Sequence, residues 1–398
     1  MWKYLKYTGM NVLLLLSLPS ILLGGWWMWA GVVLTLLVAL VLDQVIGDDL
    51  TEPEYQNKAF LNVMLFSTLP VLAMGMVGLA WVVADHDFLA IGALVQQLTG
   101  IDVLARREAN ELIHLVGAVL SGGMMIAFAG TNVGHELTHR TWDPKAMIFG
   151  RWMLSMSSDA SFAIEHVYGH HNNVSTRKDP ATSRRGENVW SFVLRSTVHS
   201  YISAWNIEKA RLERQGYSVW SWRNRMHRGN LMTLTWAAMF YVAGGWMAAG
   251  VFAITSLWGK SWLEYVNYIE HYGMVRVPGK PVQPRHSWNS NKAISGMVLY
   301  NLTRHSHHHA MGEKPFWDLR PYPNCPMMPY GYLTMIFVAW LPPLWRKIMD
   351  PKVLEWDRVY AHPEEYELIE EANRLSGHKH FMGSKAHLEK ASGTFAPA

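Results

Sequence analysis

Residues 112–140 read "LIHLVGAVLSGGMMIAFAGTNVGHELTHR", an apolar run that leads without a break into a pair of histidines. The run 112–134 contains no Lys, Arg, Asp or Glu, and as a helix it is long enough to cross about 30 Å of hydrocarbon. His135 and His139 follow at i and i+4, which places both imidazoles on one helical face. The stretch therefore predicts a membrane span whose end binds a metal ion.

Five further apolar runs have the length of a membrane span. Half of the 398 residues are hydrophobic, only 17% are charged, and the mean hydropathy is +0.02. This composition suits a protein that is partly dissolved in lipid. We therefore predict an all-α integral membrane protein with six transmembrane helices, the other five at about 8–24, 26–46, 60–84, 229–249 and 251–273.

The basic residues predict the orientation of the spans. Segment 135–228 carries fourteen Lys or Arg and eight Asp or Glu. The loop 85–111 has only two basic residues, Arg106 and Arg107. The positive-inside rule then places 135–228 in the cytoplasm, together with everything after 273. We divide the chain into a catalytic domain at 1–361, with the spans and a cytoplasmic helical cap, and a polar C-terminal tail at 362–398. The basic cap either reflects topology alone or binds an acidic partner.

Most of the nineteen histidines are clustered on this cytoplasmic side. Nine of them have spacings that suit metal binding, and nine neutral imidazoles are too many for one ion but suit two, each bound by four or five. Imidazole binds Zn, Cu, Fe and Ni alike, so the ligands alone leave the metal open. The nine are His135 and His139, then His166, His170 and His171 in "EHVYGHH", then His271 in "NYIEHYG", and finally His305, His308 and His309 in "RHSHHHA".

The spacing within each cluster predicts which histidines share a face. On an α-helix, His166 and His170 lie on one face, and His171 points about 100° away from His170. His305, His308 and His309 share one face, whereas His307 points away from it. We assign no role to the isolated histidines 86, 114, 199, 227 and 286.

Four carboxylates lie near the candidate ligands in sequence. Glu136, Glu165 and Glu270 each adjoin a candidate ligand, and Asp179 follows the second cluster. We expect them to accept the free N–H groups of ligand imidazoles and to offset the charge of the metals.

The letters H-E-L-T-H at 135–139 also match the zinc-peptidase motif, in which the glutamate acts as base. Such a protease needs only three protein ligands, so six clustered histidines would remain unexplained. A metal transporter would instead carry charged or histidine-bearing spans along a path through the bilayer. Both stay distant alternatives to an enzyme with a two-metal centre.

The three histidine boxes, at 135–139, 166–171 and 305–309, resemble those of membrane non-haem di-iron oxygenases and desaturases. The stretches "DPATSRRGE" (179–187), "NYIEHYGMVR" (267–276), "HSWNSN" (286–291) and "LTRHSHHH" (302–309) are similar to the alkane 1-monooxygenase branch. Where that branch usually reads R-H-S-D-H-H, this chain has His307 in place of the aspartate.

The resemblance implies that the nine histidines bind two non-haem irons. It implies hydroxylation of the terminal methyl group of medium-length n-alkanes, with O2 and two electrons from rubredoxin, which a rubredoxin reductase serves. It also implies a multi-pass protein of the bacterial cytoplasmic (inner) membrane, with the active site facing the cytoplasm and no nucleic-acid partner. A membrane fatty-acyl desaturase or a related hydroxylase remains the nearest alternative, because similar boxes serve both reactions.

Lys260 and Glu264 are charged residues within the predicted sixth span, at i and i+4. Charges at membrane depth usually face the interior of a helix bundle and mark function. A simple ion pair near the interface explains the same spacing equally well.

Overall fold

The structure, a computed structural model, describes residues 2–382, and within that range it contains helices and turns but no β-strand. In chain order the helices are α1 (Lys3–Leu23), α2 (Gly25–Val45), α3 (Lys58–Val82), α4 (Ile91–Thr99), α5 (Val103–Glu108), α6 (Leu112–Thr138), α7 (Pro144–Ser155), α8 (162–173), α9 (Val189–Arg214), α10 (Arg225–Glu270), α11 (Ala293–Val298), α12 (His305–Ala310), α13 (Tyr332–Ala339), α14 (Pro342–Val359) and α15 (Tyr366–Ser376).

Five of the described helices are long and apolar enough to cross a membrane, namely α1, α2, α3, α6 and α10. The first four match predicted apolar runs to within a few residues. Helix α6 continues to Thr138, so the histidine pair begins on the same continuous helix as the span. The prediction of an all-helical membrane protein is confirmed.

Helix α10 is 46 residues long and folds back on itself at Gly244–Gly245, where the backbone leaves the helical region. The rings of Phe240 and Phe252 lie 5.3 Å apart. Twelve residues along a straight helix would separate them by about 18 Å. Helix α10 therefore consists of two antiparallel arms, 225–243 and 246–270. The turn lies before the predicted boundary at residue 250, because Gly245 adopts a φ of +62° that other residues rarely adopt.

Helix α7 turns back along α6 and brings the second histidine cluster beside the first. The two helices approach closely at Gly134 and Gly150, where a Cβ on either glycine would lie about 3 Å from the other's carbonyl oxygen. Helix α8 follows, and its residues 166–170 form a π-helical turn. Such turns are rare and are frequently found at functional sites.

The described part of the C-terminal region packs on the cap. Arg285 pairs with Glu365 at 2.5 Å, and Arg185 pairs with Asp357 at 2.6 Å, with all four side chains largely buried. Ile369 on α15 is also buried. The division at residue 361 stays a prediction, and residues 383–398 of the predicted tail lie outside the described residues.

Candidate metal centre

Four parts of the fold bring the nine predicted ligands together. His135 and His139 lie at the end of α6, the second cluster lies on α8, and His271 directly follows α10. Helix α12 carries the remaining three. The side chains form two groups, and within each group the ligand atoms lie within 4.8 Å of one another. One group contains His135, His139, His166, His171 and His308, and the other contains His170, His271, His305 and His309.

This grouping differs from the faces that α-helical spacing predicts. The rings of His166 and His170 lie together, stacked 5.1 Å apart, as the spacing predicts, but their ligand atoms fall in different groups and His166 is grouped with His171 instead. Residues 166–170 form a π-helical turn, in which the backbone hydrogen bonds span five residues rather than four, so the turn is wider than in an α-helix. One short helix thus contributes two ligands to the first group and His170 to the second. Helix α12 is divided similarly, with His308 in the first group and its two neighbours at 305 and 309 in the second.

The nitrogen separations fit metal coordination. In the first group, the Nε2 atom of His135 lies 2.8 Å from that of His166, 3.1 Å from that of His139 and 3.2 Å from that of His308. Nε2 of His171 is 3.1 Å from Nε2 of His166. A metal–nitrogen bond of about 2.0–2.1 Å requires neighbouring ligand nitrogens about 2.9–3.4 Å apart. The nitrogens therefore surround a point as ligands of one ion do.

The second group converges in the same way. Nε2 of His170 lies 3.3 Å from Nε2 of His309, and Nε2 of His305 lies 3.2 Å from Nε2 of His271. All four side chains are buried. The nine candidate ligands thus divide into groups of five and four, as the sequence predicts for two ions.

Burial keeps most of these imidazoles neutral, which is the form that binds metal. Desolvation lowers the pKa of His139, His166 and His171, and it lowers the pKa of His271 to about 3. The pKa values of the three candidate ligands on α12, His305, His308 and His309, are lowered for the same reason. Desolvation also acts on His170, but the neighbouring carboxylate of Asp179 outweighs it and raises the pKa.

Asp179 supports His170 directly. Its Oδ2 atom lies 2.8 Å from Nδ1 of His170, the ring nitrogen that points away from the ligand group. The same carboxylate accepts hydrogen bonds from the Thr182 hydroxyl and the Ala181 amide. Such a contact fixes the ring orientation and makes Nε2 a better ligand.

The other three predicted carboxylates have different surroundings. Glu165 is buried and accepts a hydrogen bond from Ser203, and desolvation raises its pKa to about 8. Oε2 of Glu270 lies 3.2 Å from Nε2 of His305, on the ligand side of that ring.

Glu136 does not have the predicted contact. Within residues 2–382 its carboxylate pairs with Arg140 at 3.0 Å and contacts no histidine. Glu136 therefore does not support a candidate ligand, and its pairing with Arg140 argues against a role as the base of a zinc protease.

Two histidines outside the nine acquire contacts that the sequence did not indicate. The backbone carbonyl of His286 faces Nδ1 of His271 at 3.4 Å, and its own ring contacts Glu365. His307, the residue in place of an aspartate, is buried and accepts a hydrogen bond from the backbone amide of Arg320. The stretch "HSWNSN" begins at His286 but assigns that histidine no role, and no short motif marks Glu365, because these contacts join distant parts of the chain.

An apolar cavity of about 510 Å³ leads to the metal centre. Its walls include His135 and His166 of the first group and His305 of the second, together with Trp262 and Leu299. A second cavity, also about 510 Å³, lies farther into the bundle among residues such as Met10, Leu34 and Met125. Phe128 lines both cavities, so its ring separates the space at the histidines from the space among the spans.

Comparisons with known proteins agree with this centre. A model of the fatty acid desaturase family matches residues 111–339, more than half of the chain. Alkane 1-monooxygenase 2 of Pseudomonas aeruginosa is 32% identical, over 89% of this chain and 93% of that protein. Alkane 1-monooxygenase 2 of Alcanivorax borkumensis is 33% identical, over 88% of each chain.

A relative that is not called an alkane 1-monooxygenase is also similar over most of this chain. The xylene/toluene monooxygenase hydroxylase component XylM of Pseudomonas putida is 30% identical, over 94% of this chain and 95% of that protein. The family resemblance of the histidine boxes is therefore confirmed. The chain is an oxidoreductase that belongs to the fatty acid desaturase family of membrane proteins, in the group of the alkane 1-monooxygenases.

Proposed function

We propose that the chain hydroxylates the terminal methyl group of medium-length n-alkanes at two non-haem iron ions. The reaction is R–CH3 + O2 + 2 e⁻ + 2 H⁺ → R–CH2OH + H2O. The observation that carries this proposal is the apolar cavity at the metal centre, because histidines of both groups line its wall. A hydrocarbon has no polar group to bind, so a site for it must be shaped by apolar surface.

The nine histidines would bind the irons, five at one and four at the other. Iron bound in this way supplies the electron-transfer chemistry that O2 activation needs. The protein's own contribution is to fix the ligands, with Asp179 orienting His170 through its Nδ1 atom. The surrounding side chains exclude bulk water, which favours attack on a C–H bond over side reactions.

The two cavities would form the substrate path. A chain entering among α1, α2 and α6 reaches the outer cavity first and passes Phe128 to reach the histidines. The terminal methyl group would then lie next to the metals while the rest of the alkane remains among the spans.

We further propose six spans in the bacterial inner membrane, with the metal centre facing the cytoplasm. The two arms of α10 each have the length of a span and run antiparallel, which adds one crossing to the five long helices. The basic segment 135–228 then lies in the cytoplasm. Its positive charge suits an acidic electron donor, and rubredoxin, reduced by a rubredoxin reductase, is the donor that the family resemblance implies.

The decisive experiment supplies purified protein with octane, O2 and a reduced rubredoxin system. We expect 1-octanol as the product and about two irons per chain. His139→Ala and His309→Ala remove one ligand from each group, so each variant should lose iron and alcohol formation together. A single zinc ion and no iron would refute the assignment.

The same assay separates the rival functions. Similarity to XylM makes the methyl group of toluene a second candidate substrate, and faster turnover of toluene than of octane would favour it. An alkene or unsaturated acyl product would identify a desaturase. Cleavage of an added peptide would identify a protease.

A further inference from the structure

The metal centre lies between two cavities of opposite character. Beside the apolar cavity there is a polar one of about 280 Å³, between α8, α9 and α10. Phe162, His166 and Asn267 line both cavities, so the polar cavity reaches the first histidine group from another side. Its remaining walls include three carboxylates and a lysine, at Asp159, Glu165, Glu264 and Lys260.

Three of these charged groups form one buried cluster. The ammonium group of Lys260 lies 2.5 Å from Oδ2 of Asp159 and 2.7 Å from Oε1 of Glu264. The side chain of Glu264 is 0% exposed, and those of the other two are 8–9% exposed. Ser161 donates a hydrogen bond to Asp159, and Asn267 donates one to Glu264. The sequence left open whether Lys260 and Glu264 form a simple interfacial pair; Asp159 makes the pair a buried triad.

Burying three ions costs several kcal/mol each in general, of which their mutual attraction returns only part. Buried charges within membrane segments are accordingly rare and usually serve ion or proton transfer. The triad also carries an excess of one carboxylate over its single ammonium group. Desolvation raises the pKa of Asp159 against the effect of Lys260, which favours a carboxyl group that exchanges protons.

The cavity has one side through which protons can enter. In the described part of the chain, every residue that lines the cavity is buried except Ser200 on α9, which is partly exposed. Helix α9 lies in the segment 135–228, which the basic residues predict to be cytoplasmic, so the proposed orientation places Ser200 on the aqueous side. The polar walls then run from Ser200 past the triad to His166.

We propose that the Asp159–Lys260–Glu264 triad relays protons from the aqueous phase at Ser200 to the metal centre. The proposal rests on the proposed function, because hydroxylation consumes two protons for each O2. Among the described residues, Glu270 is the one carboxylate that lines the apolar cavity, and its Oε2 atom lies 3.2 Å from Nε2 of His305, on the ligand side of that ring. Three further carboxyl groups near the centre line the polar cavity. A carboxyl group of the triad gives its proton to water in the polar cavity and is reprotonated through Ser200. The two electrons come from the electron-transfer protein, and the triad undergoes no redox change.

The test compares two variants with two controls in the holoenzyme. Glu264→Gln keeps the shape and removes the acid, and Ser200→Leu blocks the entrance with an apolar side chain. Ser200→Thr keeps the hydroxyl group. Glu208→Gln alters another fully buried carboxylate, which pairs with Arg211 and Arg225 away from the cavity.

We expect Glu264→Gln and Ser200→Leu to retain their iron and to lower kcat by about ten-fold or more. Both should increase the solvent deuterium isotope effect on kcat and the amount of hydrogen peroxide released per electron. The two controls should match the wild type in all three measurements. Loss of kcat in proportion to lost iron, or an unchanged isotope effect, would assign the triad a structural role instead.

A second measurement does not depend on alkane turnover. The iron-loaded protein is reduced by the methyl viologen radical cation, which releases no proton on oxidation, without O2 or alkane, and a pH-indicator dye follows proton uptake. Uptake should be slower in Ser200→Leu than in the wild type and Ser200→Thr, and equal rates would refute the relay. If the wild type forms no alcohol from octane, the proposed function fails, while the dye measurement still decides on the relay.

Discussion

Replacing Asp179 by asparagine should weaken metal binding at the second histidine group and leave the first largely intact. Oδ2 of Asp179 faces Nδ1 of His170 at 2.8 Å, and His170 is a ligand candidate of the second group only. Asparagine can still accept one hydrogen bond, but it lacks the negative charge that makes the imidazole a stronger donor to the metal.

The size of the effect follows from the contact that is lost. A hydrogen bond to a charged group contributes about 1.5–3 kcal/mol, and a neutral one about 1 kcal/mol, so the loss is about 0.5–2 kcal/mol. Since about 1.4 kcal/mol corresponds to a ten-fold change, metal affinity should fall roughly two- to thirty-fold. Removal of the outer partner of a metal-binding histidine typically costs 10–100-fold, which agrees in order of magnitude.

The assay titrates metal-free protein with Fe²⁺ or Co²⁺ against a competing chelator and resolves two binding steps. The control is Glu136→Gln, since that carboxylate pairs with Arg140 and contacts no histidine within residues 2–382. It should leave both steps unchanged. The reasoning fails if Asp179→Asn binds both ions as the wild type does, or if Glu136→Gln weakens binding to the same extent.

Three further predictions concern pH, substrate length and backbone strain. Burial tends to raise the pKa of Glu365, but hydrogen bonds from His286 and Arg285 outweigh this and lower it to about 2. Ionised Glu365 therefore stabilises the fold fully above the pKa of about 4.3 that a glutamate has in the unfolded chain, and this stabilisation is lost as the pH falls towards 2. Glu365→Gln should flatten that part of a plot of melting temperature against pH. Phe128→Ala removes the ring between the two apolar cavities, so the ratio of hexadecane to octane hydroxylation should rise about ten-fold. An unchanged ratio would mean that Phe128 does not separate the two cavities. Gly245→Ala should destabilise the protein by about 1–3 kcal/mol, because its φ of +62° with ψ of −152° suits glycine alone. The matched Gly250→Ala lies in helical backbone with open space around it and should be neutral or stabilising in the same denaturation experiment.

Local patterns in the sequence were sufficient for the spans and for the nine candidate ligands. The length and composition of an apolar run are enough to predict a membrane span, and histidines one helical turn apart lie on the same face independently of the rest of the fold. His135 and His139 accordingly fall in one group, as their spacing predicts. Gly244–Gly245 lies inside the predicted span 229–249, so the turn begins earlier than the apolar pattern indicated.

The assignment of ligands to the two groups depended on geometry that spacing does not encode. In the π-helical turn at 166–170 the backbone hydrogen bonds span five residues instead of four, which widens the turn, and no residue type in "HVYGH" predicts it. Contacts such as Glu365 with His286, 79 positions apart, are set by packing of the cap and are equally invisible in a short motif. Glu365 contacts the ring of His286, and the backbone carbonyl of His286 faces Nδ1 of His271. The described part of the predicted polar tail therefore helps to position His271.

The π-helical turn explains how one short helix can serve two metals. On a regular α-helix, ligands at i and i+4 share a face, and His171 would point between the two groups. The wider turn brings His171 beside His166 and leaves His170 directed at the second group, where Asp179 holds its outer nitrogen. The adjacent residues His170 and His171 therefore belong to different groups, and the two groups lie next to each other. The same geometry accounts for Glu136: the ligand face of α6 is occupied by His135 and His139, so the residue between them points away and its match to a protease motif has no chemical meaning here.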